Sequence, residues 1–270
     1  GDGYGKDVHI LNLREERAEE QTETLLLGNL LSFHEQQRCF AEQAVPLRPY
    51  NLDKPLQVFV GSSVNAVYRE SGRPRSDVLT VARFLHHFLE NKRGWAVRTI
   101  QKLIEGESGL LDEQGEDVFS RRFEFLRVSR RSPDRIYRDI LRSVFNAPTG
   151  GALHLCDLRG GEGELGLKVG EEEDYFGLIY IGDTSSFKKI VEADDSGIVL
   201  EEDVVSESLF GGINRPDTSI NILIGAKKFM EGWNSWRVSN MGLLNVGRTE
   251  GSEIIQLFGR GVRLRGLSFS

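Results

Sequence analysis

The chain has 270 residues, 34 Lys+Arg against 41 Asp+Glu, a net charge of −7 and 39% hydrophobic residues. That length suits one large domain or two modest ones with a real core, the apolar share is too high for disorder, and a uniformly basic nucleic-acid surface is excluded, so any such surface is local. No run approaches the roughly 20 apolar residues of a membrane helix, no signal-peptide pattern opens the chain, and two cysteines, Cys39 and Cys156, build neither a disulfide framework nor a Cys-rich metal site, which favours a soluble, cytoplasmic protein.

The chain starts without Met and stops at Leu267-Ser268-Phe269-Ser270, and so reads as a piece of something longer. Alternation over Asp7–Leu13 predicts a short strand. An acidic helix is expected from Arg14 to about Glu42, with Leu25, Leu26, Leu27, Leu30, Leu31 and Phe33 as its apolar residues, and Pro46, Pro49 and Pro55 mark a linker. Leu56–Gly61 reads as a buried strand ending in a glycine turn, with Ser62 and Ser63 at its tip, the strand end where open α/β sheets collect ligands. A break follows at Ser71-Gly72-Arg73-Pro74-Arg75. Ser76-Asp77 then caps a helix with Val78, Val81, Phe84, Leu85, Phe88 and Leu89 at helical spacing.

Further helices are expected over Ala96–Ile104, Asp117–Phe125 and from Ser132-Pro133-Asp134 to Phe145, a block read as a helical insertion over 76–149. Strands return at Ala152–Leu158, Glu164–Val169, Phe176–Gly182, Ile220–Gly225 and Met241–Val246, with a helix starting at Asp183-Thr184-Ser185 and a last one at Glu253–Gly259. This alternation predicts an α/β fold with a parallel sheet.

Several patterns invite over-reading. Gly161-Glu162-Gly163-Glu164-Leu165-Gly166 fits G-x-G-x-x-G, but a strand follows instead of the helix that a pyrophosphate needs, and two acidic residues would repel phosphate. A hairpin turn is the expectation. Gly1–Asp7 lacks the spacing of a phosphate-binding loop, and no Walker A sequence occurs. Glu90-x-Lys92 fits half of a nuclease carboxylate–lysine motif, but without a suitably placed partner it reads as a helix-end ion pair. His9, His34, His86, His87 and His154 have no H-E-x-x-H or C-x-x-C context, and adjacent His86 and His87 diverge on a helix, so no metal site is expected. The arginine-rich stretch from Arg121 to Arg142 is either a solvated, ion-paired helix surface or a phosphate-facing patch.

The informative region runs from Asn221 to Leu264. At its end stands Gln256-Leu257-Phe258-Gly259-Arg260-Gly261-Val262-Arg263. Arginines three apart project from one helical face, Gly259 admits close approach of a backbone or phosphate, and paired guanidinium groups suit a polyphosphate.

This string resembles motif VI of superfamily-two (DEAD/DEAH-type) helicases. Gly232-Trp233-Asn234 resembles motif V, and Val58-Phe59-Val60-Gly61-Ser62-Ser63 resembles motif IV. The wording from Ile224 through Val238 is similar to the helicase subunit of type III restriction enzymes, and the similarity extends back through Gly28–Phe33 and Tyr50–Pro55. The resemblance implies a C-terminal RecA-like domain, the second motor domain of an ATP-dependent DNA helicase or translocase. Its implied boundaries are 1–13 for the end of a preceding motor domain or a first strand, 14–75 for the domain start with motif IV, and 150–270 for the remainder with motifs V and VI.

On this resemblance Arg263 is the arginine finger and Arg260 contacts or senses the γ-phosphate, the two catalytic residues. Gln256, Gly259, Gly232 and Asn234 lie at the ATP cleft, and Ser62, Ser63, Lys227 and Lys228 approach the nucleic-acid backbone. The implied cofactor is ATP with Mg2+, held mainly by a first RecA-like domain of the same protein. The implied partners are that domain, double-stranded DNA and a DNA methyltransferase subunit of a restriction system.

The sequence departs from motif V at Ala226, where the family has Thr, and at Asn234, where it has Asp. Lys227 and Lys228 either replace the missing hydroxyl or belong to a solvated loop. Trp233 and Trp236 either stack on bases or pack in a core. Two other functions stay open: an inactive motor remnant acting as a protein-interaction module, and an RNA helicase domain.

Overall fold

The computed structural model describes residues 19–43, 45, 52–61, 68–70, 73–226, 233 and 235–244. In chain order the elements are α1 (Glu19–Glu42), β1 (Leu56–Gly61), β2 (Tyr68–Glu70), β3 (Arg73–Arg75), α2 (Asp77–Glu90), α3 (Trp95–Glu105), α4 (Glu124–Val128) and α5 (Pro133–Ser143). They continue with β4 (Leu153–Gly160), β5 (Glu164–Val169), β6 (Gly177–Tyr180), α6 (Thr184–Glu192), β7 (Val199–Glu207), β8 (Ile222–Ala226) and β9 (Val238–Leu244). Seven strands form one sheet in the order β7-β4-β5-β6-β8-β1-β9, and β2 and β3 make a separate hairpin. Only β5 opposes its neighbours; β7 with β4, and β6, β8, β1 and β9 with one another, pair in parallel. The α/β class holds, with a mostly parallel sheet.

The central strands are mostly apolar because both of their faces are covered. Along β1, Leu56, Val58 and Val60 enter one cluster with Leu178 and Leu223, whereas Phe59 enters the other with Ile179, Ile222 and Ile224. The second of these clusters carries the helices. α2 lies against β1, β8 and β4, and α1 lies against β9 and β1 and touches α2, α3 and α5. Residues of the helical block 76–149, among them Phe84, Phe88, Ile100, Ile136 and Phe145, share this core with the strands.

Local chemistry sets the boundaries. Ser76 Oγ accepts the Leu79 N–H at 3.0 Å and starts α2, and Asn91, with φ of 44°, ends it by donating to the His87 carbonyl. Ser132 caps α5, with Pro133 in its first turn, and Asp183 caps α6 through the Ser186 N–H. These are the residue types that satisfy free amides at a helix start. Within the core, Gln57 is fully buried. Its amide donates to Asn29 Oδ1 at 2.7 Å and accepts from Asn240 at 2.8 Å, tying α1, β1 and β9 together.

Three segments depart from expectation. Asp117–Phe125 is not a helix. The Asp117 carboxylate collects Ser108, Gly109 and Phe119 as donors, and Phe123 adopts φ of 61°, so helix begins only at Glu124. Of the break expected at 71–75, Arg73–Arg75 form β3, which pairs Arg73 with Glu70 of β2. Val199–Glu207, unassigned from sequence, is a sheet strand.

The G-x-G-x-x-G segment is the expected hairpin between antiparallel β4 and β5. Gly161 sits against the Glu164 carboxylate, Gly163 turns with φ of 79° against the Gly182 backbone, and Gly166 lies under the Tyr175 ring. The Glu164 carboxylate accepts from the amides of Leu209 and Phe210 and from Ser208 Oγ. Glu90 and Lys92 pair at 2.8 Å. Asp139 takes Arg131 and Arg135, and Asp134 takes Arg138, which is the ion-paired reading of that stretch; Arg127 turns inward to the Ile104 and Phe119 carbonyls. No helix among the described residues is long and apolar enough to cross a membrane.

Candidate functional site

Four neighbouring parallel strands, β6, β8, β1 and β9, end along one edge of the sheet. Gly61, the last residue of β1, pairs with Ala226 on one side and with Leu244 on the other; these are the last residues of β8 and β9. Such an edge is where parallel α/β sheets present ligand-binding loops. Gly61 is required there by packing. A Cβ on it would sit 2.6 Å from the Asp77 Cβ in the first turn of α2. The start of that helix is thereby drawn against the end of β1.

The sequence-predicted site residues lie outside the described residues: in the chain, Ser62 and Ser63 follow β1, Lys227, Lys228, Gly232 and Asn234 follow β8, and Gln256, Gly259, Arg260 and Arg263 come after β9. The strand expected at Asp7–Leu13 and the helix expected at Glu253–Gly259 lie outside them too.

The return from β8 to β9 is described at Trp233 and again from Ser235. Trp233 is half-buried on the sheet face opposite the helices, its ring 6.0 Å from Phe210, which in turn stacks on Tyr180 at 4.2 Å. This is packing in the smaller core. Arg237, just before β9, is 2% exposed and donates to the carbonyls of Lys54 (2.9 Å), Ile220 (2.7 Å), Pro55 (3.4 Å) and Ile213. Burial pushes its pKa down to about 10, so it stays charged at neutral pH. The guanidinium fastens the amino ends of β1 and β9, and thereby fixes the register that aligns their other ends.

A second polar constellation occupies the same face of the sheet at β5, β4 and β7. His154 and Cys156 alternate on β4, Lys168 faces His154 from β5, and Glu201 faces Cys156 from β7. His154 Nδ1 lies 2.6 Å from Glu201 Oε1, while Glu201 Oε2 receives Lys168 Nζ at 3.0 Å and the Cys156 thiol at 3.5 Å. Burial pushes the Glu201 carboxyl up, but the hydrogen bonds from Lys168, His154 and Cys156 prevail and hold it below its ordinary value. Burial pushes the Cys156 thiol up to about 11. Next to it the Tyr175 hydroxyl donates to Asp203 at 2.5 Å, and burial raises its pKa as well.

His86 and His87 have structural partners. His86 accepts from the Leu153 amide, and His87 faces Glu23 at 2.9 Å and stacks on Trp95, so the two rings do diverge. Sequence reading did not find the second constellation. His154 and Cys156 give a two-residue alternation, but their partner Glu201 sits on the strand that went unassigned.

Compared with protein-family models, curated proteins and solved structures, the chain matches none. Its α/β architecture rests on the strand pairing and helix packing described above.

Proposed function

We propose that this chain is the second, RecA-like motor domain of an ATP-dependent DNA helicase or translocase, similar to the helicase subunits of type III restriction enzymes. The observation that carries the reading is the alignment of Gly61 with Ala226 and Leu244. The strings that resemble motifs IV and V follow closely in sequence on the neighbouring ends of β1 and β8, and β9, which precedes the motif VI string in sequence, ends beside them; this supports a shared nucleotide and nucleic-acid edge. The mostly parallel sheet supports it at the level of architecture.

On this reading Arg260 and Arg263 reach the γ-phosphate of Mg-ATP held by a first motor domain. Gln256, Gly259, Gly232 and Asn234 complete the cleft. Ser62, Ser63, Lys227 and Lys228 grip the backbone of duplex DNA. Closure over ATP and opening after hydrolysis shift that grip along the strand. The chain has no G-K-[ST] loop, and on this reading it is expected not to hydrolyse ATP by itself.

The test is DNA-stimulated ATPase of the protein carrying both motor domains. Arg263→Ala is expected to lower kcat about 10³-fold or more, the scale of arginine-finger removal, with DNA binding retained. Unchanged turnover in both Arg263→Ala and Arg260→Ala refutes the motor assignment and leaves an interaction module.

A further inference from the structure

The sheet face opposite the helices is apolar over β6, β8 and β1, but across β5, β4 and β7 it turns polar. There, a ring nitrogen of His154 and carboxylate oxygens of Glu171 and Glu201 all lie within 4.8 Å of one another. His154 is buried, Glu201 half-buried and Glu171 exposed, so the group is open on one side. The three come from separate places: the β4 strand, the turn after β5, and β7. Among the described residues β7 is the outer strand of the sheet and pairs only with β4.

We propose that His154, Glu171 and Glu201 form a binding site for a divalent transition-metal ion, with zinc as the best match, that fastens β7 to the turn following β5. Ligands of a tetrahedral zinc sit about 3.4 Å apart, given bonds of roughly 2.1 Å. The more distant donors therefore close by at most about 1.4 Å, by rotation of the exposed Glu171 side chain, while His154 Nδ1 and Glu201 Oε1, now 2.6 Å apart, separate by about 0.8 Å. One imidazole with two carboxylates suits zinc better than magnesium or calcium, which prefer all-oxygen shells. The two carboxylates balance a divalent charge. The next donor is Cys156, whose Sγ is 3.5 Å from Glu201 Oε2, and a zinc ion in contact would displace its proton.

Lys168 is the resident competitor. Its ammonium lies 3.0 Å from Glu201 Oε2 and supplies part of the charge that a cation would bring. Metal binding therefore releases Lys168 from Glu201 and replaces the His154–Glu201 contact. The lysine sets the affinity: a unit positive charge about 5 Å from a divalent ion weakens binding roughly tenfold even at water-like dielectric.

The experiment uses the whole chain, stripped with a chelator. Zinc affinity is measured by competition with a chromophoric chelator, and cobalt is used as a visible-absorption probe of coordination. The expected result is one zinc per chain, weakened about tenfold or more by Glu171→Gln and tightened about tenfold by Lys168→Gln, with the melting temperature raised by zinc in the parent but not in Glu171→Gln. Glu171 is exposed, so its substitution leaves the fold intact. Intense cobalt absorption of a low-coordinate site is expected in Lys168→Gln. The proposal is overturned by the absence of stoichiometric zinc in both the parent and Lys168→Gln. It is equally overturned by equal affinities in the parent and Glu171→Gln, which would put the ion elsewhere on the chain.

Discussion

Replacing Arg237 by Met isolates what its guanidinium does, because Met keeps much of the apolar stem and removes the donors. The residue serves four carbonyls. Two of them, on Ile213 and Ile220, belong to residues only 1% exposed, where water does not readily take over. Each buried carbonyl left without a donor costs about 1–3 kcal/mol. Relief from burying the charge offsets part of the loss, so a net destabilisation of about 3 kcal/mol is expected, a large share of the roughly 5–15 kcal/mol that holds a domain folded. Equilibrium urea unfolding at pH 7 reads this as a lower midpoint with an unchanged slope. Arg237→Lys should fall between, since one ammonium reaches fewer of the four acceptors. A loss below about 1 kcal/mol for Arg237→Met would mean that the carbonyls find other donors, and that this residue does not hold β1 and β9 in register.

Burial, with Arg38 adding repulsion, depresses the pKa of His34 to about 3, against about 6.5 in the unfolded chain. The unfolded state therefore takes up a proton that the folded state refuses, and stability falls as pH drops from about 6.5 towards 3. The contribution is about 2 kcal/mol at pH 5. His34→Gln should flatten the urea midpoint between pH 7 and pH 5 relative to the parent; parallel curves would contradict the burial argument. Gly28 in α1 faces Phe119, whose ring lies 2.3 Å from where a Cβ would stand. Gly28→Ala is expected to cost about 1–3 kcal/mol by overpacking, seen as a lower melting temperature, and an unchanged one would show that the ring moves freely.

Most of the core layout was legible because its signals are local. Ser76, Ser132 and Asp183 cap helices as residues of their type do at a helix start, and the apolar run of β1 marks a strand covered on both faces. The misreadings have equally local causes. The apolar residues of Asp117–Phe125 suggested a helix, but the Asp117 carboxylate organises a turn and Phe123 takes a left-handed backbone conformation. β7 went unassigned because Leu200-Glu201-Glu202-Asp203 looks solvated, whereas its pairing with β4 supplies the strand. The polar cluster around Glu201 was lost with it.

The sequence by itself determined the α/β class, the hairpin nature of the glycine-rich segment and most helix starts, because each depends on residues within a few positions of one another. It also holds the strings on which the motor resemblance rests. Tertiary structure alone decided the strand order, the alignment of Gly61 with Ala226 and Leu244, the burial of Arg237 among four carbonyls and the meeting of His154 with Glu171 and Glu201. Those facts join residues from distant parts of the chain. Strand order and register emerge only when the hydrophobic faces of all the elements are buried at once.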